Sequence, residues 1–342
     1  MSTATVKSST GKTNFNYTIS TPLSSSAKSI DRSLPTLLFI HAVFHGPQIF
    51  QRQFEDPQIR RFNCVALDLR IHGRTTGDAL PKGYGAKEAA EDLALFMDEI
   101  DLPACHVVAL SKGSIVAMGL AVYYPDKVAS LFLVSPLGLE EPADVADGRR
   151  EIVKHWKEGF KTGEPDMEVL SDAAYGVLQL GFSNKLDSLS SALAAITMPL
   201  ALKKVTPANF DQLERATVDF LNNRREYTTE ELSRIRVPVK LVHCLGDIAY
   251  PQEYTEKFMQ QLTDAAVTVS LATIPDAPHF GVVTHECFFS FFFFSVNRLL
   301  CEFILDCCGT FVPPAPGEVS SPWEAELVKA GWNKAASDCE DD

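Results

Sequence analysis

Basic charge is scarce in this chain: 31 lysines and arginines stand against 44 aspartates and glutamates, a formal net charge of −13 and a pI near 5.1. Phosphate backbones and anionic bilayers both call for a basic surface, so neither nucleic acid nor membrane is expected as a partner. No uninterrupted apolar stretch approaches the ~18 residues of a membrane span, and the opening MSTATVKSSTGKTNFNYTIS has no apolar core of the secretory kind. The expectation is a soluble, cytoplasmic protein. The eight cysteines (64, 105, 244, 287, 301, 307, 308 and 339) show no paired C-x-x-C spacing, which argues against a zinc site and for free, mostly buried thiols. An internal repeat is also lacking.

What is present is an ordinary globular composition, 46% hydrophobic and 22% charged, on a chain of 342 residues. That length suits one large α/β domain with an insertion. A loosely alternating stretch from Thr13 to Ser20 reads as an early antiparallel strand, and 24–33 reads as a loop. Continuous apolar runs of strand length then recur at 36–42, 63–70, 106–110 and 130–136, with helical patterns at 49–62, 86–100 and after Ser111. Runs buried on both faces and alternating with helices predict a doubly wound, mostly parallel sheet. After Pro136 the rhythm changes to helical patterns alone, at 149–160, 167–180 and 210–224, before strands resume at 239–245 and 267–275 around a helix at 252–262. The predicted organisation is a core of 1–138 and 233–310, a helical cap of 139–232 and a C-terminal tail of 311–342.

The junction ACHVVALSKGSIVAMGL carries the first chemical signal. A strand that turns directly into a helix at Ser111 strains the turn residue and requires small neighbours two places away, here Ala109 and Gly113. The same geometry points the first amides of the helix at Ser111, with the Lys112 N–H as the obvious oxyanion donor. A serine hydroxyl needs a base within reach, and the base needs a third group to fix its tautomer. Asp247, in HCLGDIAYP, and His279, in IPDAPHFG, each lie just past a predicted strand, in the chain order Ser, Asp, His. Each has a plainer use: Ser111 or Asp247 as a helix cap, His279 as a satisfied loop histidine. One active site accounts for all three together.

These stretches resemble the α/β-hydrolase fold family, in its capped, serine-nucleophile form. A-L-S-K-G is similar to the G-x-S-x-G elbow, His243 to Pro251 to an H-G-x-x-D-x-x-x-P acid loop, and DLRIHGRT to a D-x-R-G-H-G-x-S/T segment. Glycine is replaced at Ala42, Ile71, Ala109 and Cys244. The resemblance implies Ser111 as nucleophile, His279 as base, Asp247 as its orienting acid with Glu140 as runner-up, and the Val43 and Lys112 amides as oxyanion hole. It implies no cofactor and no metal. The expected activity is hydrolysis of a small-molecule carboxylic ester or lactone; carbon–carbon bond hydrolysis on the same triad, or non-enzymatic ligand binding, are the alternatives. Phe44, His45 and Trp156 are candidate substrate contacts, and Trp156, Tyr175, Phe182 and Met198 sample an expected apolar inner face of the cap. Lys112 is expected either as a solvated lysine or as a charge beside the nucleophile. The run CFFSFFFFS, 287–295, is expected to be a late insertion before a helix that is complete without it. The oligomeric state is not legible.

Overall fold

The computed structural model describes residues 2–283 and 295–334. Ten strands form one sheet: β1 Ser2–Ser8, β2 Gly11–Thr21, β3 Ser24–Ala27, β4 Thr36–Ile40, β5 Asn63–Leu67, β6 Thr76–Gly77, β7 Cys105–Leu110, β8 Val128–Val134, β9 Val239–Cys244 and β10 Val269–Ile274. Their order is β1-β2-β5-β4-β7-β8-β9-β10, with β3 and β6 paired to β2. From β5 to β10 every pairing is parallel, and β1 and β2 add an antiparallel edge. The central strands are buried along their whole length, which is why they read as unbroken apolar runs rather than alternating ones.

The helices are α1 Gln51–Phe54, α2 Ala86–Glu99, α3 Lys112–Tyr123, α4 Ala143–Glu158, α5 Met167–Phe182, α6 Ser188–Lys204, α7 Phe210–Glu214, α8 Phe220–Asn222, α9 Thr229–Leu232, α10 Gln252–Asp264, α11 Val296–Cys308 and α12 Glu324–Lys329. One apolar layer joins α2, α3 and α10 to one face of the sheet, and a second, holding Phe39, Phe54, Phe132, Leu300 and Trp323, covers the other. Among the described residues, no strand interrupts the helical insertion between β8 and β9. The fold is thus the α/β architecture expected, with a helical insertion over the sheet's carboxyl end.

Several elements differ from the sequence pattern. The helix expected at 49–62 shrinks to a 3-10 turn and α1, because Pro57 disfavours helical backbone at Asp56. The loop expected at 24–33 contains β3, a short partner for the edge of β2. Helix α6 went unexpected: Pro199 lies inside it, and its apolar residues do not fall on one stripe. The stretch expected as a tail beyond 310 is docked through residue 334. It carries α12 and buries Trp323, Leu327 and Trp332 in the second layer. The run 287–294 lies outside the described residues, as do His285, Cys287 and Cys339. Ser295, its last residue, caps α11 by accepting a hydrogen bond from the Arg298 amide, so this residue belongs to the helix.

Candidate active site

Ser111 ends β7 and opens α3 with φ 53° and ψ −117°, outside the comfortable region for a residue with a side chain. The strain is held by close packing. A Cβ added at Gly113 would lie 2.3 Å from the Ile40 carbonyl oxygen, so only glycine lets α3 approach β4 this closely. Ser114 Oγ donates to the Ser111 carbonyl at 2.6 Å and accepts from the Leu137 amide at 3.1 Å, fixing the turn from behind. Ala109 is fully buried in β7, and its methyl is accommodated.

Three strand-end loops bring their side chains to this turn. His279 Nε2 lies 2.8 Å from Ser111 Oγ, and His279 Nδ1 lies 2.5 Å from Asp247 Oδ2. The other carboxylate oxygen of Asp247 accepts the Ala249 and Tyr250 amides at 2.9 and 3.0 Å. Burial pushes the Asp247 carboxyl up, but the His279 charge and hydrogen bond and these two amides outweigh it and hold the group below its usual range. The Asp247 contact leaves Nδ1 as donor and Nε2 free to accept the serine proton. Tyr250 stacks on the His279 ring at 5.0 Å, and its hydroxyl donates to Glu141 Oε1 at 2.9 Å. Arg149 and Arg224 also pair with Glu141, so a buried carboxylate with two guanidinium partners braces the stacked tyrosine. Neither Tyr250 nor Glu141 was singled out in the sequence; the only local hint was an aromatic three residues after the acid. Glu140, the runner-up acid, points away, exposed and paired with Lys257 at 2.8 Å.

Val43 lies just past β4, the parallel neighbour of the strand that ends at Ser111, and Lys112 is the first residue of α3, where backbone N–H groups have no intrahelical partner. The Lys112 side chain fits neither expectation. It is buried, its Nζ donates to the Ala216 carbonyl at 2.8 Å, and it lies 4.6 Å from the centre of the Phe220 ring. Ala216 belongs to a π-helical turn, Arg215–Asp219, in the insertion. Burial, with a smaller push from Arg149, lowers the Lys112 pKa to about 7.

His41 joins the two loops below the site: Nδ1 donates to the Ala42 carbonyl at 2.7 Å and Nε2 accepts the Leu69 amide at 2.9 Å. Burial lowers its pKa to about 3, so it is neutral. The DLRIHG loop is tied by Asp68, which accepts the Arg74 amide at 2.9 Å, and by Lys204, whose Nζ donates to the His72 and Gly73 carbonyls at 2.9 and 3.0 Å.

A cavity of about 140 Å³ opens between core and insertion. Phe44, His45 and Trp156 line it, as do Gln48, Ile71 and Met198. Ser111 and His279 are not among its lining residues. Its nearest shown approach to the relay is at His45, whose ring packs 5.3 Å from that of Phe280, the neighbour of His279; Phe44 on the lining stands next to Val43. Of the expected inner face, Trp156 and Met198 face this cavity. Phe182 is buried behind it against His45 and Phe280. Tyr175 is 58% exposed on the outer surface, because it falls on the face of α5 turned from the core.

Comparison with known proteins follows the same outline. A segment of 126 residues is 40% identical to the dihydrolipoyllysine-residue acetyltransferase component of the acetoin cleaving system of Cupriavidus necator, covering 34% of this chain and 33% of that one. The match therefore spans about a third of that relative's length. Among solved structures, a thermophilic esterase from Thermogutta terrifontis superposes with a TM-score of 0.64 at 15% identity, covering 90% of this chain and 99% of the other. The enol-lactonase of Burkholderia xenovorans gives 0.58 at 15% identity, covering 86% and 96%. At these identities the structural likeness speaks to fold alone. The family model described as alpha/beta hydrolase fold matches residues 35–286, most of the chain and all three strand-end loops. The chain belongs to the alpha/beta hydrolase fold family.

Proposed function

We propose that this protein is a serine hydrolase that cleaves a compact carboxylic ester or lactone beneath the helical insertion, with no cofactor called for by any step. The observation that carries this reading is the unbroken relay from Ser111 Oγ through His279 to Asp247, at 2.8 and 2.5 Å. Ser111 Oγ attacks the carbonyl carbon while its proton passes to His279 Nε2. The oxyanion is received by the Val43 and Lys112 amides. Collapse breaks the ester C–O bond, and the leaving oxygen takes the proton from His279. Water, deprotonated by the same imidazole, then releases the acid and restores Ser111. Asp247 stays ionised, holding the ring in the Nδ1–H tautomer and stabilising the imidazolium.

The cavity supports a small-molecule substrate: about 140 Å³ is near the ~150 Å³ that holds a benzene-sized ligand. Phe44, His45 and Trp156 are the proposed substrate contacts. Residues 139–232 serve as a cap on a core of 1–138 and 233–310, and the free buried cysteines suit the cytoplasm. A fluorophosphonate probe should label Ser111, and Ser111→Ala should abolish both labelling and ester turnover. Asp247→Asn should lower kcat by about 10⁴ through the wrong tautomer. Full turnover by Ser111→Ala would end the proposal, and an active Asp247→Asn would remove the acid from it.

A further inference from the structure

The imidazole of His279 makes its two hydrogen bonds in the plane of its ring, as ring nitrogens do. Nδ1 meets Asp247 Oδ2 and Nε2 meets Ser111 Oγ, so together they define an axis and leave the ring free to rock about it. Contacts on the faces of the ring must fix what these bonds leave open. Phe280 meets the imidazole at a tilt of 44°, 5.3 Å away, whereas Tyr250 meets it nearly parallel, at 27° and 5.0 Å. A near-parallel ring is the contact that resists rocking.

Tyr250 is itself held on several sides. It is 3% exposed; its amide donates to Asp247 Oδ1 at 3.0 Å, and its hydroxyl donates to Glu141 Oε1 at 2.9 Å and accepts from Arg149 Nη2. Pro251, next in the chain, keeps the backbone of Tyr250 out of the helical region. One residue thus grips two members of the relay, the acid through its backbone and the base through its ring. Almost any residue could supply the first grip, but the second needs an aromatic side chain. The ring also acts electrostatically. Proton transfer from Ser111 creates an imidazolium on a side chain that is 1% exposed, away from water. An aromatic face within ~6 Å attracts such a cation. The neutral imidazole gains less, so the contact strengthens as the charge develops. Arg149, whose charge would oppose the imidazolium, is itself paired with Glu141.

We propose that Tyr250 is a positioning residue: its ring face keeps the His279 imidazole aimed between Asp247 and Ser111 and favours that imidazole once it carries the serine proton. This rests on the reading of Ser111, His279 and Asp247 as a catalytic relay. It goes further in assigning a fourth side chain, three residues past the acid, to a task that the in-plane bonds of the relay leave undone.

The test sets Tyr250→Leu, which keeps the backbone amide and removes the face, beside Tyr250→Phe, which keeps the face and removes the hydroxyl. Each reacts with a fluorophosphonate probe, whose end-point counts folded sites and whose rate constant reads the chemistry at each of them. Turnover of 4-nitrophenyl butyrate is followed in parallel. Tyr250→Leu should lose about tenfold or more in both labelling rate and kcat, with KM within about twofold, and Tyr250→Phe should bring both rates back to within about threefold of wild type. A side chain that merely supports the fold would lower the end-point and Tm and leave the rate per site unchanged. That result overturns the inference, as does a loss in Tyr250→Leu that Tyr250→Phe does not restore. Tyr250→Met, unbranched and non-aromatic, takes the place of Tyr250→Leu if the latter does not fold. If wild type neither labels nor turns over any ester, the hydrolase reading fails. The proton NMR signal of His279 Nδ1–H, drawn downfield by its bond to Asp247, then decides the inference by itself. It should broaden or vanish in Tyr250→Leu and persist in Tyr250→Phe; an unchanged signal in Tyr250→Leu overturns the assignment.

Discussion

At Ile71 the backbone adopts φ 66°, the left-handed conformation that costs a β-branched residue most, at the place where the family segment carries glycine. Its surroundings show how such a position is retained. Gly73, two residues on, is irreplaceable, since a Cβ there would sit 1.8 Å from Asp68 Oδ1. The Ile71 side chain, in turn, lines the cavity and packs on the core. Cys244 shows the complementary case. Its Sγ fills the space above Gly281, where a Cβ would come within 2.4 Å, so the glycine lost at 244 is matched by one at 281. Lys112 makes a prediction at this scale. A fall from 10.5 to about 7, mainly from burial with a smaller push from Arg149, corresponds to on the order of 5 kcal/mol. The Phe220 face, worth ~2 kcal/mol to a desolvated cation, offsets only part of it. Because the folded value is depressed, the burden is full below pH 7 and fades as pH climbs toward the unfolded value, where the unfolded chain holds a proton that the fold has shed. Lys112→Met should therefore raise Tm more at pH 6 than at pH 9.5, by several degrees, with the backbone amide at 112 intact. An equal change at both values would show that the buried amine does not titrate in this window.

Between elements, the insertion is held to the core by polar anchors rather than by apolar contact alone. Lys112 reaches up from α3 to the π-helical turn, Lys204 reaches down from α6 to the DLRIHG loop, and Arg215 donates to the Leu80 carbonyl. The Glu141 cluster adds a fourth tie, joining Arg149 on α4 and Arg224 to Tyr250 in the acid loop. Its side chains are almost wholly buried: 4% exposure for Glu141, 1% for Arg149 and 5% for Arg224. Removing one member of a buried ionic group leaves the others uncompensated, so Glu141→Leu should cost about 3–5 kcal/mol. Glu140→Gln, one residue away but exposed and paired with surface Lys257, should cost no more than ~0.5 kcal/mol. Urea midpoints at unchanged m value measure both. A small loss in Glu141→Leu would mean that apolar packing carries the insertion. Tyr250 lies on the His279 ring, so Glu141→Leu should also depress turnover in the fraction that remains folded.

Across the whole molecule, what the sequence discloses and what it hides follow from the range of the interactions involved. Strands buried on both faces leave unbroken apolar runs, so β4, β5, β7, β8 and β9 could be read directly. The side chains that meet at the relay could be nominated because each stands just past such a run, where an α/β sheet gathers its loops. Partnerships between distant segments left no local period: the Tyr250 stack, the Lys112 contact 104 residues away. The C-terminal segment was hidden for the same reason, since FVPPAPGEVSSPW has no helical or strand period. Its anchoring is tertiary. Trp323 lies 4.6 Å from Phe54, which lies 5.0 Å from Phe39 on β4, the strand that ends at the proposed oxyanion turn. The buried guanidinium of Arg60 donates to the carbonyls of Phe54, Thr21, Ser24 and Ser320, tying this segment to both sides of the edge. A 1% exposed tryptophan in that position should behave as core, so Trp323→Ala should cost about 3–5 kcal/mol. Deleting 311–342 also strips Leu327 and Trp332 from the second apolar layer and should leave the protein insoluble or lower its Tm by more than about 10 °C. A truncated chain that melts with the full-length protein would mean that the segment only rests on the surface, and that β4 needs no support from the chain's end.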